Sequence, residues 1–169
     1  MPPSPLIQPV LSALHELLKP LNYRKAGNVF TRKINDVFHL IELQGSQQST
    51  AVEAKYTVNV AVFVPELIYE DVREFRKPSV SAAHFRERLG ILASEASDVW
   101  WRAATPTDAE CNAKDICFKL SQCALPRLKE LSSASALAVL WSQGFSPGIT
   151  EGQRKEYLAQ LTAVPKNAP

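Results

Sequence analysis

The feature that most restricts this chain is an alternation of apolar residues between positions 29 and 64. Tyr56, Val58, Val60, Val62 and Val64 fall on every second position, the period of a β-strand whose one face is buried. Val37, Ile41 and Leu43 share one face of an earlier segment, and Val29 to Ile34 precedes it. Asn35-Asp36 separates those two segments, and both residue types tolerate the positive φ of a two-residue hairpin turn. That turn pairs Ile34 with Val37, Arg32 with His39 and Phe30 with Ile41.

The next pairing follows from burial. Facing residues in adjacent strands share a side. Burying the Ile41 and Val60 sets together places Val60 opposite Ile41 and Val58 opposite Leu43. The reverse face then sets Phe38 against Phe63, Leu40 against Ala61, Glu42 against Asn59 and Gln44 against Thr57. It is apolar at one end and polar at the other.

Helical periodicity brackets the sheet. Ile7, Leu11, Leu14, Leu18 and Leu21 predict a helix over 8–19, with Pro9 in its first turn and Pro20 at its end. Residues 65–75 read as a short helix and 76–82 as a loop. Phe85, Leu89 and Ile91 alternate with Arg86, Arg88 and Gly90, which predicts a fourth strand. Residues 98–102 read as a fifth strand or a turn. Thr107 with Glu110 predicts a capping box, opening a long helix kinked at Pro126. A shorter helix over 133–143 is closed by Gly144. Thr150 with Gln153 opens a last helix through Leu161. The expected fold class is α+β: an antiparallel sheet of four or five strands, with an N-terminal helix and C-terminal helices packed on it. Residues 6–145 read as one domain, 146–163 as a helical extension and 164–169 as a disordered tail.

Composition narrows the function classes. The 169 residues carry a formal net charge of +2 and a pI near 8.4, which argues against a nucleic-acid partner. No apolar run spans a bilayer and no secretory leader is legible, so the expected location is cytoplasmic. The cysteines, Cys111, Cys117 and Cys123, step by six residues, about 240° on a helix. They point in different directions, chelate no common metal and read as buried free thiols. His39 reads as partly exposed and hydrogen-bonded, and His84 as facing solvent. His15-Glu16 lacks the second histidine of a zinc-protease helix. Glycine-rich phosphate loops and a nucleophile elbow are absent. No catalytic residue, metal or cofactor is therefore expected. Glu66, Glu70, Asp71 and Glu74, interleaved with Arg73 and Arg76, read as a solvated face. Arg24, Lys25, Arg32 and Lys33 read as a charged edge that discourages strand addition.

Two places stand out as candidate sites. Glu42, Gln44 and Ser46 project from one strand and Thr57 and Asn59 from the next, with Arg86 and Arg88 as partners from the fourth strand. Strands are depleted in Asn and Glu, so this concentration calls for a reason. Trp100-Trp101 places one indole in the core and the other nearer the surface, and Trp101 is the candidate interface residue. These positions suit a non-catalytic module that binds a protein partner, immunity-like in one form. The alternative is a small-molecule or nucleotide-binding domain with a polar pocket. A homo-oligomeric structural protein is a third reading, and the oligomeric state is open.

Several segments carry a family resemblance: Leu18-Lys19-Pro20-Leu21-Asn22-Tyr23-Arg24-Lys25, Asn28-Val29-Phe30-Thr31-Arg32, Leu43-Gln44-Gly45-Ser46, Tyr56-Thr57-Val58-Asn59-Val60, Arg88-Leu89-Gly90 and Trp100-Trp101. Over roughly 10–130 the chain resembles the bacterial family called domain of unknown function 4304. Asn22 and Ala61 stand where that family more usually has glycine. The resemblance implies a small bacterial cytoplasmic domain, supplies no activity, and points again to Gln44, Ser46, Asn59 and Arg88.

Overall fold

The computed structural model describes residues 5–67, 77–94 and 98–163. The chain is α+β. Helix α1 (Gln8–Leu18) leads through a single 3-10 turn to strands β1 (Arg24–Ala26), β2 (Val29–Ile34), β3 (Val37–Gly45) and β4 (Ala54–Phe63). β5 (Phe85–Arg88), the short helix α2 (Leu89–Leu92) and β6 (Trp101–Ala103) follow. The chain then turns helical through α3 (Pro106–Lys119), α4 (Leu125–Glu130), α5 (Ala134–Ser142) and α6 (Glu151–Thr162). The sheet is antiparallel and six-stranded, in the order β1-β2-β3-β4-β5, with β6 also on β4.

The register is the one that shared burial dictates. Ile41 faces Val60, Leu43 faces Val58, Glu42 faces Asn59, and Phe38 faces Phe63. Asn35 takes a φ of 49° at the hairpin. Asn22 also lies in the left-handed region, at φ 65°. Asparagine tolerates that conformation better than most residues with a side chain.

One sheet face, with Phe30, Ile41, Val58, Val60 and Phe85, shares a core with Leu14, Leu18, Ile116, Leu120 and Trp141 from the helices. On the reverse face Leu40, Ala61 and Phe63 form a smaller cluster with Val80 and Ala83 of the loop before β5. That loop packs on the apolar end of the face.

Several local expectations are corrected. The sheet has six strands rather than four or five, because Arg24–Ala26 adds an edge strand with all three residues exposed. Arg24 and Lys25 lie on that edge. The fourth strand stops at Arg88 instead of running to Ile91. Beyond Asn59, the Ala54–Tyr56 part of β4 is already paired with β6, so the chain has no ladder to join and turns helical. The α3 cap is Thr105, whose hydroxyl accepts from the Asp108 amide, while Asp108 accepts from the Thr105 amide. Pro106 explains the shift from Thr107, since a proline is well placed just inside a helix start and lacks only an amide that would be orphaned there. Before Pro126 the helix widens into a π turn over Leu120–Ala124, which accommodates the missing amide without a break. The second capping box, Thr150 with Gln153, forms as spaced. The expected helix over 65–75 and the acidic cluster at 70–74 fall mostly outside the described residues, as does the tail at 164–169.

Histidines and cysteines also depart from expectation. His84 is 4% exposed and His39 2%. His84 Nδ1 accepts from the Val64 amide at 3.0 Å, and His39 Nε2 lies 3.1 Å from the Leu131 carbonyl. Burial of each is possible because a backbone group meets the ring. Cys111 is exposed, with Cys117 and Cys123 partly so. α3 buries the stripe Ala109, Ala113 and Ile116, and a six-residue step carries the thiols off it.

The α5–α6 connection closes the outer side of β5. The Arg86 amide donates to the Pro147 carbonyl at 3.0 Å. Gly148 takes a φ of 84°, and a Cβ there would stand 2.7 Å from Arg86 Cβ and 2.9 Å from its backbone nitrogen. Gly148→Ala therefore combines a left-handed alanine with a backbone collision. A loss of about 2 kcal/mol in unfolding free energy is expected, read as a lower urea midpoint at unchanged m-value. An unchanged midpoint would mean that the turn does not rest on β5.

Candidate functional site

The polar end of the reverse sheet face is the floor of a groove of about 700 Å³. Glu42, Gln44, Asn59 and Arg88 line it, and Ser79, Val80, Ser81 and Arg86 form part of the wall. The floor follows from register. Glu42, Asn59 and Arg88 are consecutive partners across β3, β4 and β5, so their side chains rise from the same face.

The floor is held by one asparagine. Asn59 Nδ2 donates to Glu42 Oε2 and to Gln44 Oε1, each at 2.8 Å. A carboxylate only accepts, so the amide nitrogen of Asn59 must face Glu42. That nitrogen's second hydrogen then turns the Gln44 oxygen toward it. What remains for the groove is the Asn59 oxygen as acceptor and the Gln44 amide nitrogen as donor.

Arg88 is less completely engaged. Its Nε lies 3.8 Å from Asp98 Oδ2, and its guanidinium carbon sits 5.1 Å from the Trp100 ring centre. Trp100 in turn donates from Nε1 to Asp98 at 3.0 Å. Stacking and a distant carboxylate fix the plane of the guanidinium. Its Nη1 is buried and has no hydrogen-bond partner, although the side chain as a whole is 28% exposed. A buried N–H without an acceptor costs about 1–3 kcal/mol, so the guanidinium retains unused donor capacity beside the groove.

The other expected positions lie elsewhere. The Thr57 hydroxyl is buried and donates to the Val99 carbonyl at 2.9 Å. It fills the interval between the β5 and β6 pairings of β4. Ser46 accepts from the Gln48 amide in the following turn. Trp101 is 6% exposed, and its indole donates to Asp115 at 2.8 Å. The indole beside the groove is Trp100, half-exposed and also within 5.3 Å of Lys55 Nζ. Strand alternation shows that one of the pair must be outside, but not which one. Ser79 and Ser81 were not singled out because a loop has no period to place them.

Among the described residues no group of three or more His, Cys, Asp or Glu side chains is arranged to hold a metal. No helix among them is long and apolar enough to cross a membrane.

A family model described as a domain of unknown function (DUF4304) matches residues 14–130. The chain belongs to the DUF4304 family. The match takes in the C-terminal part of α1, the whole sheet, α3 and α4, and so includes every residue of the groove floor. α5 and α6 lie beyond it. No curated protein and no solved structure is similar enough to be matched to this chain.

Proposed function

We propose that this DUF4304 domain is a non-catalytic binding domain whose sheet-face groove takes a small polar ligand bearing an anionic group. The observation that carries the reading is Arg88, a partly exposed guanidinium with an unpartnered Nη1, lining a groove floored by Glu42, Gln44 and Asn59. A guanidinium offers paired donors suited to a carboxylate or phosphate, and the preset Asn59 and Gln44 groups would orient the rest of the molecule. Among the described residues of the groove lining no nucleophile has an adjacent base, which favours binding over chemistry.

A thermal-shift screen of acetate, citrate, inorganic phosphate and short peptides tests it. A bound probe at a hundred times its Kd should raise the midpoint by about 5–10 °C, and Arg88→Gln should abolish the shift. If none of these probes moves the wild-type midpoint, the reading fails.

A protein partner is the second reading. Phe118, Phe145 and Val139 keep 65%, 62% and 58% of their surface exposed, and large exposed apolar side chains are enriched where proteins meet. Capture of one defined protein that Phe118→Ser releases and Arg88→Gln does not would favour it.

A further inference from the structure

We propose that the groove accepts a short peptide of two or three residues with both ends free, its ammonium at Glu42 and its carboxylate at Arg88. This rests on the ligand-binding reading above and specifies its ligand.

The charges of the floor are of both signs and are not spent on each other. Among the described residues no cation forms an ion pair with Glu42, whose carboxylate accepts only from Asn59. Among the described residues Arg88 meets one acidic group, Asp98, at 3.8 Å, and Asp98 belongs to the segment leading into β6, which pairs with β4 as β3 does on its other edge. A simple anion would satisfy Arg88 but would bring a second negative charge toward Glu42. A simple cation would do the reverse at Arg88. A molecule with an ammonium at one end and a carboxylate at the other complements both.

Spacing selects the length. Glu42 and Arg88 stand one on either side of Asn59 in register, so their Cα atoms are two strand spacings apart, about 10 Å. An extended chain spans at most about 3.3–3.6 Å per residue. Between side chains rising in parallel at that spacing, two or three residues bridge the charges, whereas the ends of a free amino acid stand only about one residue's length apart. Between the charged ends lies Asn59, with its oxygen as an acceptor, and Gln44, beside Glu42 on β3, adds a donor through its amide nitrogen. A peptide bond presents the matching donor and acceptor.

Titration calorimetry on the full chain tests the proposal, with trialanine, its N-acetyl form, its C-terminal amide and free alanine as probes. Trialanine should bind at least tenfold more tightly than each of the other three. Glu42→Gln keeps an acceptor for Asn59 while removing the charge. It should weaken trialanine at least tenfold and leave the N-acetyl form unchanged. Arg88→Gln should do the same to trialanine and leave the amide unchanged. Equal affinity for trialanine and its N-acetyl form would overturn the proposal, as would full affinity in Glu42→Gln. If citrate or phosphate then still bound in an Arg88-dependent way, the anion-binding reading would stand without the peptide. If no probe bound the wild type, both would fall.

Discussion

Tyr157→Ala is expected to lower the unfolding free energy by about 3–5 kcal/mol, the range for removing a buried aromatic ring. The residue sits in α6, a helix with little amphipathic pattern, and is the residue that α6 buries. Its ring packs edge-on against His84 at 4.9 Å and obliquely against Trp141 at 5.9 Å. Arg154, one turn earlier, donates to the Trp141 carbonyl and pairs with Glu151. The last helix is thus fastened to the fold through this aromatic ring and arginine, with Leu158 and Leu161 packed half-buried against the core. Urea unfolding followed by tryptophan fluorescence measures the loss. A chain ending at Phe145 should be destabilised at least as much, since it loses the same ring and uncovers Trp141. A loss below about 1 kcal/mol in Tyr157→Ala would show that α6 is an accessory to a core complete without it.

Acidification should cost a comparable amount through His84. Burial pushes its imidazole down to about 4, against the opposing effect of a hydrogen bond to the Leu67 carbonyl. Protonation would also remove the acceptor that Nδ1 offers the Val64 amide. The unfolded chain binds this proton near pH 6.5 and the folded one near 4. Stability is therefore full above about pH 7, falls as pH drops through 6.5, and levels below 4. The difference amounts to about 3 kcal/mol. His39, also lowered by burial, adds in the same direction. Glu87, raised by burial, opposes it at the acid end. Urea midpoints at pH 7.5 and 4.5 read the effect. His84→Asn keeps an acceptor for Val64 but cannot titrate, so it should start less stable at pH 7.5 and lose much less on acidification. Equal losses in the two proteins would assign the acid sensitivity to other groups.

The floor of the candidate site was legible before any coordinates. Glu42, Asn59 and Arg88 are placed by counting residues along strands whose valine and isoleucine positions must share a side. Gln44 follows from the same count. What counting could not supply was the wall and the state of the floor. Ser79 and Ser81 come from a loop folded back over Leu40 and Ala61. The partnerless Nη1 of Arg88 depends on Trp100 and Asp98 arriving from a segment ten residues further on. Trp101 looked like an interface anchor and is a core residue, because Asp115 on α3 meets its indole.

The sequence by itself determined the sheet register, the split of the reverse face into apolar and polar ends, the Asn35 turn and the Thr150 cap. Each of these is a local or nearest-neighbour matter: side chains alternate with a period of two, and an N-cap needs only the residue three positions on. Tertiary structure decided the burial of His84 and His39, the end of β5 at Arg88, and the fastening of α6 through Tyr157. These depend on backbone groups and rings tens of residues away. A buried polar side chain is tolerable only where such a partner is delivered to it, and no periodicity along the chain records which partner that will be.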